Sequence, residues 1–421
     1  MLMSLSSSHR ERLAALLFGL FLSVCLVEIG GRAAGLLPVE PPESFYRLRT
    51  AAGLIPEPYE TITHRFDNNL TNVVRFNYRS FRDIDHTYDK PDDVQRVLIL
   101  GDSFSAAWEV PLEKSYIGVW RSWLKDTPYE IINAAFPGWS TDRELLLYRV
   151  EGRTYHPDIV LLQVYIGNDL IDNGLSALQN RVSDESYSVS PRPIPETAPY
   201  FTLDKAGLLT YNPPKAVVLT STERKNGVTN WLLRNSVTYR VFDSFIKRLS
   251  TQNNQPQPSP LRPSNILSLE YDAFSPAFDQ DADWKTAKTI TRDLLEQLHD
   301  EVKADEAQLV VLLIDPIWRM DPTRWQTIQD TYQFPDTWHK TRMSDWWRST
   351  LNDLNIPVID TLPPLLTDAA QTGSPILFPY DGHWTPKGHC FIALSIGEWM
   401  HREENWPAPS DTASFESCED S

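Results

Sequence analysis

Cysteine is nearly missing from this chain. Three cysteines in 421 residues cannot build a disulfide framework. No C-x-x-C pair and no H-E-x-x-H stretch occurs, so the common zinc spacings are absent and no metal or other cofactor is expected. Positive charge is in deficit as well. Lys+Arg 39 against Asp+Glu 56 leaves a net charge of −17. That sign repels phosphate backbones and sets nucleic acid aside as a partner. Glycine, at 17, is outnumbered by proline, at 32, which suggests long ordered loops. Internal repeats are absent. Hydrophobic residues at 41% and charged residues at 23% match an ordinary globular composition, which excludes global disorder. At about 150 residues per domain, the length allows one large domain or two to three small ones.

Long apolar runs are missing too, apart from one near the N-terminus. Residues 13–27 (LAALLFGLFLSVCLV) carry no charge. Arg10 and Arg12 precede them. Glu28 and Arg32 lie just beyond, four apart and able to pair on one helix face. The run falls short of the ~20 residues that a spanning helix requires, and reaches that length only if it continues through Glu28 to Leu37. A cleaved signal peptide needs a small-residue A-x-A site, and none follows cleanly. An uncleaved signal anchor over 1–37, a transmembrane helix, is therefore expected over a cleaved leader. A lipoprotein reading at Cys25 is weaker because Val24 is bulky. The positive-inside rule leaves the body outside the cytoplasm, periplasmic or at the cell surface. There Cys390 and Cys418 either form a disulfide or remain two thiols.

Residues 38–88 read as a Pro-rich spacer and an arm, 89–402 as the main domain, and 403–421 as an acidic tail. Short apolar runs mark five buried strands: Val97–Leu100, Tyr129–Asn133, Ile159–Ile166, Leu309–Ile314 and Pro357–Asp360. Helical periods lie between them: from Ser115, over Ala287–Val302, and over Trp338–Leu351. Thr141 and Glu144 suggest a capping box opening another helix. Thr385 as N-cap and Pro386 as first residue start the last, through Met400. This alternation predicts an α/β fold, a doubly wound and mostly parallel sheet flanked by helices. An insertion, 171–283, interrupts it. Tyr200–Leu203 and Leu208–Tyr211 read as a hairpin there, Trp231–Leu249 as an amphipathic helix and 251–266 as a polar loop.

Four segments stand at the carboxyl ends of strands or just before the last helix, the edge where open α/β sheets place their sites. Gly101-Asp102-Ser103 can expose a hydroxyl. Phe136-Pro137-Gly138 can offer a backbone N–H, since glycine permits close approach. Gly167-Asn168-Asp169 supplies an amide that donates without titrating, with Asp169 placed to cap the next segment. Asp381-Gly382-His383-Trp384 supplies a base and a carboxylate to orient it. Each alone is commonplace. Together they are the nucleophile, base, orienter and oxyanion donors of an acyl-transfer site. His389 and His156 read as structural, and Trp318, Trp325, Trp338, Trp346 and Trp347 as packing residues.

This set resembles the SGNH (GDSL-type) hydrolases, whose blocks are a GDS serine, a glycine, a G-x-N-D asparagine and a D-x-x-H pair. The text is most similar to membrane-anchored bacterial members, in Val110–Tyr116, Pro137–Leu145, Pro157-Asp158 and Asp381–His389. Two features depart from the pattern. Gly167-Asn168 is contiguous, and the Asp381–His383 spacing is two, which resembles the alginate O-acetylation proteins. The resemblance implies catalytic Ser103, His383 and Asp381. It implies an oxyanion hole of the Ser103 and Gly138 amides and the Asn168 side chain. The function expected is an extracytoplasmic serine esterase cleaving acyl, foremost acetyl, esters of carbohydrate or lipid substrates. The alternatives are an O-acyltransferase acting on a cell-surface polysaccharide and a non-catalytic envelope scaffold.

Overall fold

The computed structural model describes residues 7–33, 48–67, 70–179, 188–189, 192–214, 236, 238–239, 266–371, 376–379 and 381–409. Cys418, most of the expected helix 231–249 and the loop 251–265 lie outside them. The chain divides into two units, Met1–Pro41 with Val217–Leu261, and Pro42–Ala216 with Arg262–Ser421.

In the first unit, α1 spans Ser7–Ala33. Among the described residues no helix is long and apolar enough to cross a membrane, so the expected transmembrane anchor is not shown. The reason lies in the charges. The charge-free run of fifteen residues covers about 22 Å at 1.5 Å per residue, against a hydrocarbon core of ~30 Å. Its continuation meets Glu28, whose Oε2 accepts hydrogen bonds from Ser236 Oγ at 3.0 Å, Thr238 N at 3.0 Å and Thr238 Oγ1 at 3.1 Å. A carboxylate holding three donors makes the extension polar.

In the second unit, after a short strand pair at Leu48–Thr50 and Gly53–Ile55, comes a hairpin, β1 (Thr61–Phe66) against β2 (Leu70–Arg75). The sheet comes next. Its strands are β3 (Gln95–Leu100), β4 (Tyr129–Asn133), β5 (Ile159–Tyr165), β8 (Gln308–Ile314) and β9 (Val358–Asp360), and β6 (Tyr200–Leu203) with β7 (Leu209–Asn212) forms the separate insertion hairpin. The sheet order is β9-β8-β5-β3-β4, with every pairing parallel. Counted along the chain this is the order 2-1-3-4-5. Its direction reverses between the first and third strands, which makes the gap beyond their carboxyl ends the natural site.

The two-residue side-chain period of the strands sorts them into two apolar layers. Leu98, Leu100, Leu162, Val164 and Leu313 face α4 (Thr141–Val150), α6 (Ala282–Ala304) and α7 (Arg342–Asp353). Val97, Ile99, Leu161, Val310 and Leu312 face α3 (Tyr116–Trp123) and α8 (Pro386–Glu404). All ten are essentially without solvent contact, and each such Leu, Ile or Val contributes ~1.5–3 kcal/mol. Helices therefore cover both faces, and the carboxyl edge is left for loops. Trp318, Trp338 and Trp347 are buried among these layers, with Trp325 and Trp346 packed against them.

Two local expectations give way to tertiary contacts. The capping box at Thr141 does not form, because Ser140 is the N-cap and no side chain bonds from it. Instead Asn173, from α5 (Asp169–Asn173), accepts the Asp142 amide at 3.0 Å. Asp169 does not cap the helix after β5. Asn168 holds that position, and Asp169 folds back to accept the Tyr165 amide at 3.0 Å. Cys390 is disulfide-bonded, and Cys25 is free.

Candidate active site

Strand β3 ends at Leu100, and the chain turns at once. Gly101 allows that turn, because a Cβ there would stand 2.6 Å from Gln163 Oε1 on β5. Gln163 Oε1 accepts the Asp102 amide at 3.0 Å and the Ser105 hydroxyl at 2.9 Å. Asp102 caps α2 (Ser103–Ala106) by accepting from Phe104 N at 2.9 Å. Ser103 is thus the first residue of one tightly held turn, and the amides of a helix's first turn have no acceptor inside the helix.

The second part comes from the other end of the chain. Thr385 accepts the Gly388 amide at 3.3 Å and starts α8. A turn before it is closed by Phe378 N donating to the His383 carbonyl at 2.8 Å. Phe104 seats this turn, with its ring 4.9 Å from those of both His383 and Trp384.

The two parts meet. His383 Nε2 lies 2.7 Å from Ser103 Oγ, and His383 Nδ1 lies 2.5 Å from Asp381 Oδ1. Asp381 Oδ1 also accepts the His383 amide at 3.2 Å. The two-residue spacing is thus sufficient for the carboxylate to turn back on its own histidine. Burial pushes the His383 imidazole down, but the hydrogen bond to Asp381 and the charge of Glu109 outweigh it and lift its pKa to about 9. Asp381 is raised by burial but held below the ordinary carboxylate range by His383.

Asn168 and Gly138 sit on neighbouring loops. Asn168 Nδ2 donates to Asp172 Oδ2 at 3.2 Å, and its Oδ1 is buried without a partner. Gly138 has a φ of +71°, a left-handed conformation that favours glycine, and open space where a Cβ would stand. Its loop is tied to the serine loop by Phe136 N donating to the Gly101 carbonyl at 3.0 Å. A cavity of about 230 Å³ borders Gly138, and its lining includes the polar Ser140, Arg143, Asp172 and Arg192 and the apolar Pro193, Ile194 and Pro199. Arg192 pairs with Asp172 at 2.6 Å, so the insertion reaches the residue that holds Asn168.

Behind the serine lie buried acids. Burial raises Asp102 to about 6 and Asp142 to about 7, and lifts Glu144 and Asp169 well above the carboxylate range. His389 stays neutral, since burial drives its pKa to about 3. It accepts the Tyr116 amide at Nδ1, 3.2 Å away.

Two residues of the site were not singled out from the sequence. Glu109 Oε1 is 3.6 Å from His383 Nδ1 and 3.3 Å from His64 Nε2. A lone acid within the apolar stretch Ala106–Val110 was the signal for Glu109. Nothing local marked His64, which β1 delivers from outside the main domain.

No family model matches this chain, and no curated protein does. Among solved structures it is similar to TesA, at 10% identity and a TM-score of 0.34, over 73% of this chain and 99% of that one. It is similar to a GDSL-like lipase from Bacteroides thetaiotaomicron, at 10% identity and a TM-score of 0.34, over 75% and 92%. It is also similar to a catalytic mutant of an acetylxylan esterase from Geobacillus stearothermophilus, at 10% identity and a TM-score of 0.35, over 76% and 98%.

Proposed function

We propose that this chain is a serine ester hydrolase of the SGNH type, acting outside the cytoplasm on acyl, foremost acetyl, esters of carbohydrate. One observation carries the reading. A hydroxyl, an imidazole and a carboxylate stand in line, Ser103 Oγ to His383 Nε2 at 2.7 Å and His383 Nδ1 to Asp381 Oδ1 at 2.5 Å.

His383 takes the Ser103 proton as Oγ attacks the ester carbonyl. Asp381 stabilises the imidazolium and keeps the proton on Nδ1. The amides of Ser103 and Gly138 and the second N–H of Asn168 receive the oxyanion. Losing one such donor typically costs ~2.7–4 kcal/mol of barrier. His383 then protonates the leaving alcohol, and water enters by the same base to release the acid. The cavity beside Gly138 offers hydroxyl, carboxylate and guanidinium partners, which suit a polyhydroxylated alcohol better than a lipid chain. The basic-flanked apolar helix α1, with Leu16, Phe18, Phe21 and Leu26 exposed, favours export and a place at the membrane surface.

Ser103→Ala is the test. Hydrolysis of 4-nitrophenyl acetate should fall by at least ~10³-fold with the melting temperature unchanged. Undiminished hydrolysis removes Ser103 from the chemistry and leaves the scaffold reading. The two-residue Asp381–His383 spacing favours one second reading, an O-acyltransferase. Acetyl transfer to a glycan hydroxyl in preference to water would establish it.

A further inference from the structure

We propose that Glu109 is a second carboxylate for the catalytic imidazole, a positioning residue that shares the Nδ1 side of His383 with Asp381. The inference rests on the serine-hydrolase reading and adds to it a group which that reading does not require.

The geometry is specific. Asp381 Oδ1 lies 2.5 Å and Glu109 Oε1 lies 3.6 Å from the same nitrogen. Asp381 is not wholly given to the ring, since the same oxygen also accepts the His383 amide. Glu109 sits deeper, with its side chain 4% exposed. Among the described residues its basic neighbours within 4 Å are two imidazoles, His383 and His64. Its other oxygen, Oε2, is buried with no hydrogen-bond partner. Burying a carboxylate so incompletely satisfied is costly. The cost falls when a neighbouring imidazole becomes positive, and His383 does so each time it takes the Ser103 proton.

The chain around Glu109 is clamped. Arg82 donates to the carbonyls of Ala106, Ala107 and Val110. Asn72, on β2 of the arm, donates to those of Trp108 and Val110 at 2.9 and 2.6 Å. The arm also reaches the other carboxylate, since Asp67 accepts the Asp381 amide at 3.0 Å. One hairpin therefore braces both acids from a single side. A carboxylate needed only for packing would not require its backbone held on two fronts and its oxygen aimed at the ring.

The charges that act on His383 are those of Asp381, Glu109 and Asp102, all negative; His64 lies across Glu109 from it, and His389 is neutral. Removing one negative neighbour makes the imidazolium a stronger acid. The limb over which activity rises with pH then moves to lower pH, and the plateau falls.

The experiment measures kcat/KM for 4-nitrophenyl acetate from about pH 5 to 10.5, a range that brackets the imidazole, on the full chain and on Glu109→Gln, Asp381→Asn and the double variant. Glu109→Gln should shift the limb acidward by about one pH unit and lower the plateau ~10-fold. Asp381→Asn should lose ~10²-fold, short of the ~10⁴-fold seen where an orienting aspartate acts alone, and the double variant should reach that larger loss. A Glu109→Gln limb that superposes on the wild type, or equal rates for Asp381→Asn and the double variant, overturns the proposal. Should Glu109→Gln not fold, Asp381→Asn alone decides. With Glu109 in place its limb stays above the ordinary imidazole value of about 6.5, and a limb at or below that value overturns the proposal. A wild type with no activity at any pH would instead overturn the hydrolase reading and this one with it.

Discussion

A serine hydroxyl is a poor nucleophile, and in the proposed mechanism what would improve it is the charge state of one ring. His383 is lifted to about 9 despite its burial, because Asp381 and Glu109 favour the protonated form. A protonated imidazole cannot accept the Ser103 proton, so kcat/KM should rise with pH through about 9 and level off beyond it. A profile already flat from about neutral pH would contradict that. Of the residues that meet in the candidate site, Ser103, His383 and Asp381 were legible because each sits in a short motif at a strand end or helix start. Glu109 and His64 were not. Their contact joins residues 45 positions apart, and neither position alone has a pattern that calls for a partner. Asn168 was legible as a residue type, while its tie to Asp172, and through it to Arg192, depends on how the insertion folds back.

Among the elements, apolar strands with a two-residue period were readable because both faces of the sheet are covered, so almost every side chain in them must be apolar. Helix starts were readable only where the cap is local. Thr385 is such a case, with its hydroxyl on the Gly388 amide. The start of α4 is not, since the Thr141 box loses to an amide brought by α5 from 31 residues away. Asn173→Ala should therefore destabilise the protein by ~1 kcal/mol, as loss of a cap does, lowering the melting temperature by ~2 °C. Thr141→Val should cost less. Equal losses in calorimetric melts would restore the local box. The arm is the element with no helical or buried-strand signature. β1 and β2 alternate weakly in burial, as an outlying hairpin does, and its weight at the site comes from four contacts, made by His64, Asp67, Asn72 and the Phe66 ring against Phe378.

At the scale of the molecule, the parallel order 2-1-3-4-5 brings residues 103, 138 and 168 to one edge, and the last helix delivers residue 383 to them. That convergence follows from alternating strands and helices and was expected on those grounds, whereas the transmembrane span was not borne out, for lack of charge-free length. The acids gathered behind this edge have a consequence for stability. Asp102, Asp142 and Asp172 have folded pKa values raised by burial to about 6, 7 and 6. A raised value stabilises the fold below the unfolded pKa and loses that contribution as pH climbs through the folded one. His383 acts in the same direction up to about 9, and His389, depressed to about 3, opposes it below about 6.5. The melting temperature should accordingly keep falling from about pH 6.5 to about pH 9, where His383 gives up the proton that the fold holds, and a flat or rising curve over that window would show that the fold does not hold it. The claim on which all else depends is the Ser103–His383 contact. It is tested most directly by reacting the protein with a fluorophosphonate and locating the adduct by mass spectrometry. One adduct is expected, on Ser103, forming at least ~10²-fold more slowly in His383→Ala, within the range that a general base contributes. An adduct elsewhere, none at all, or a rate indifferent to His383 would contradict it.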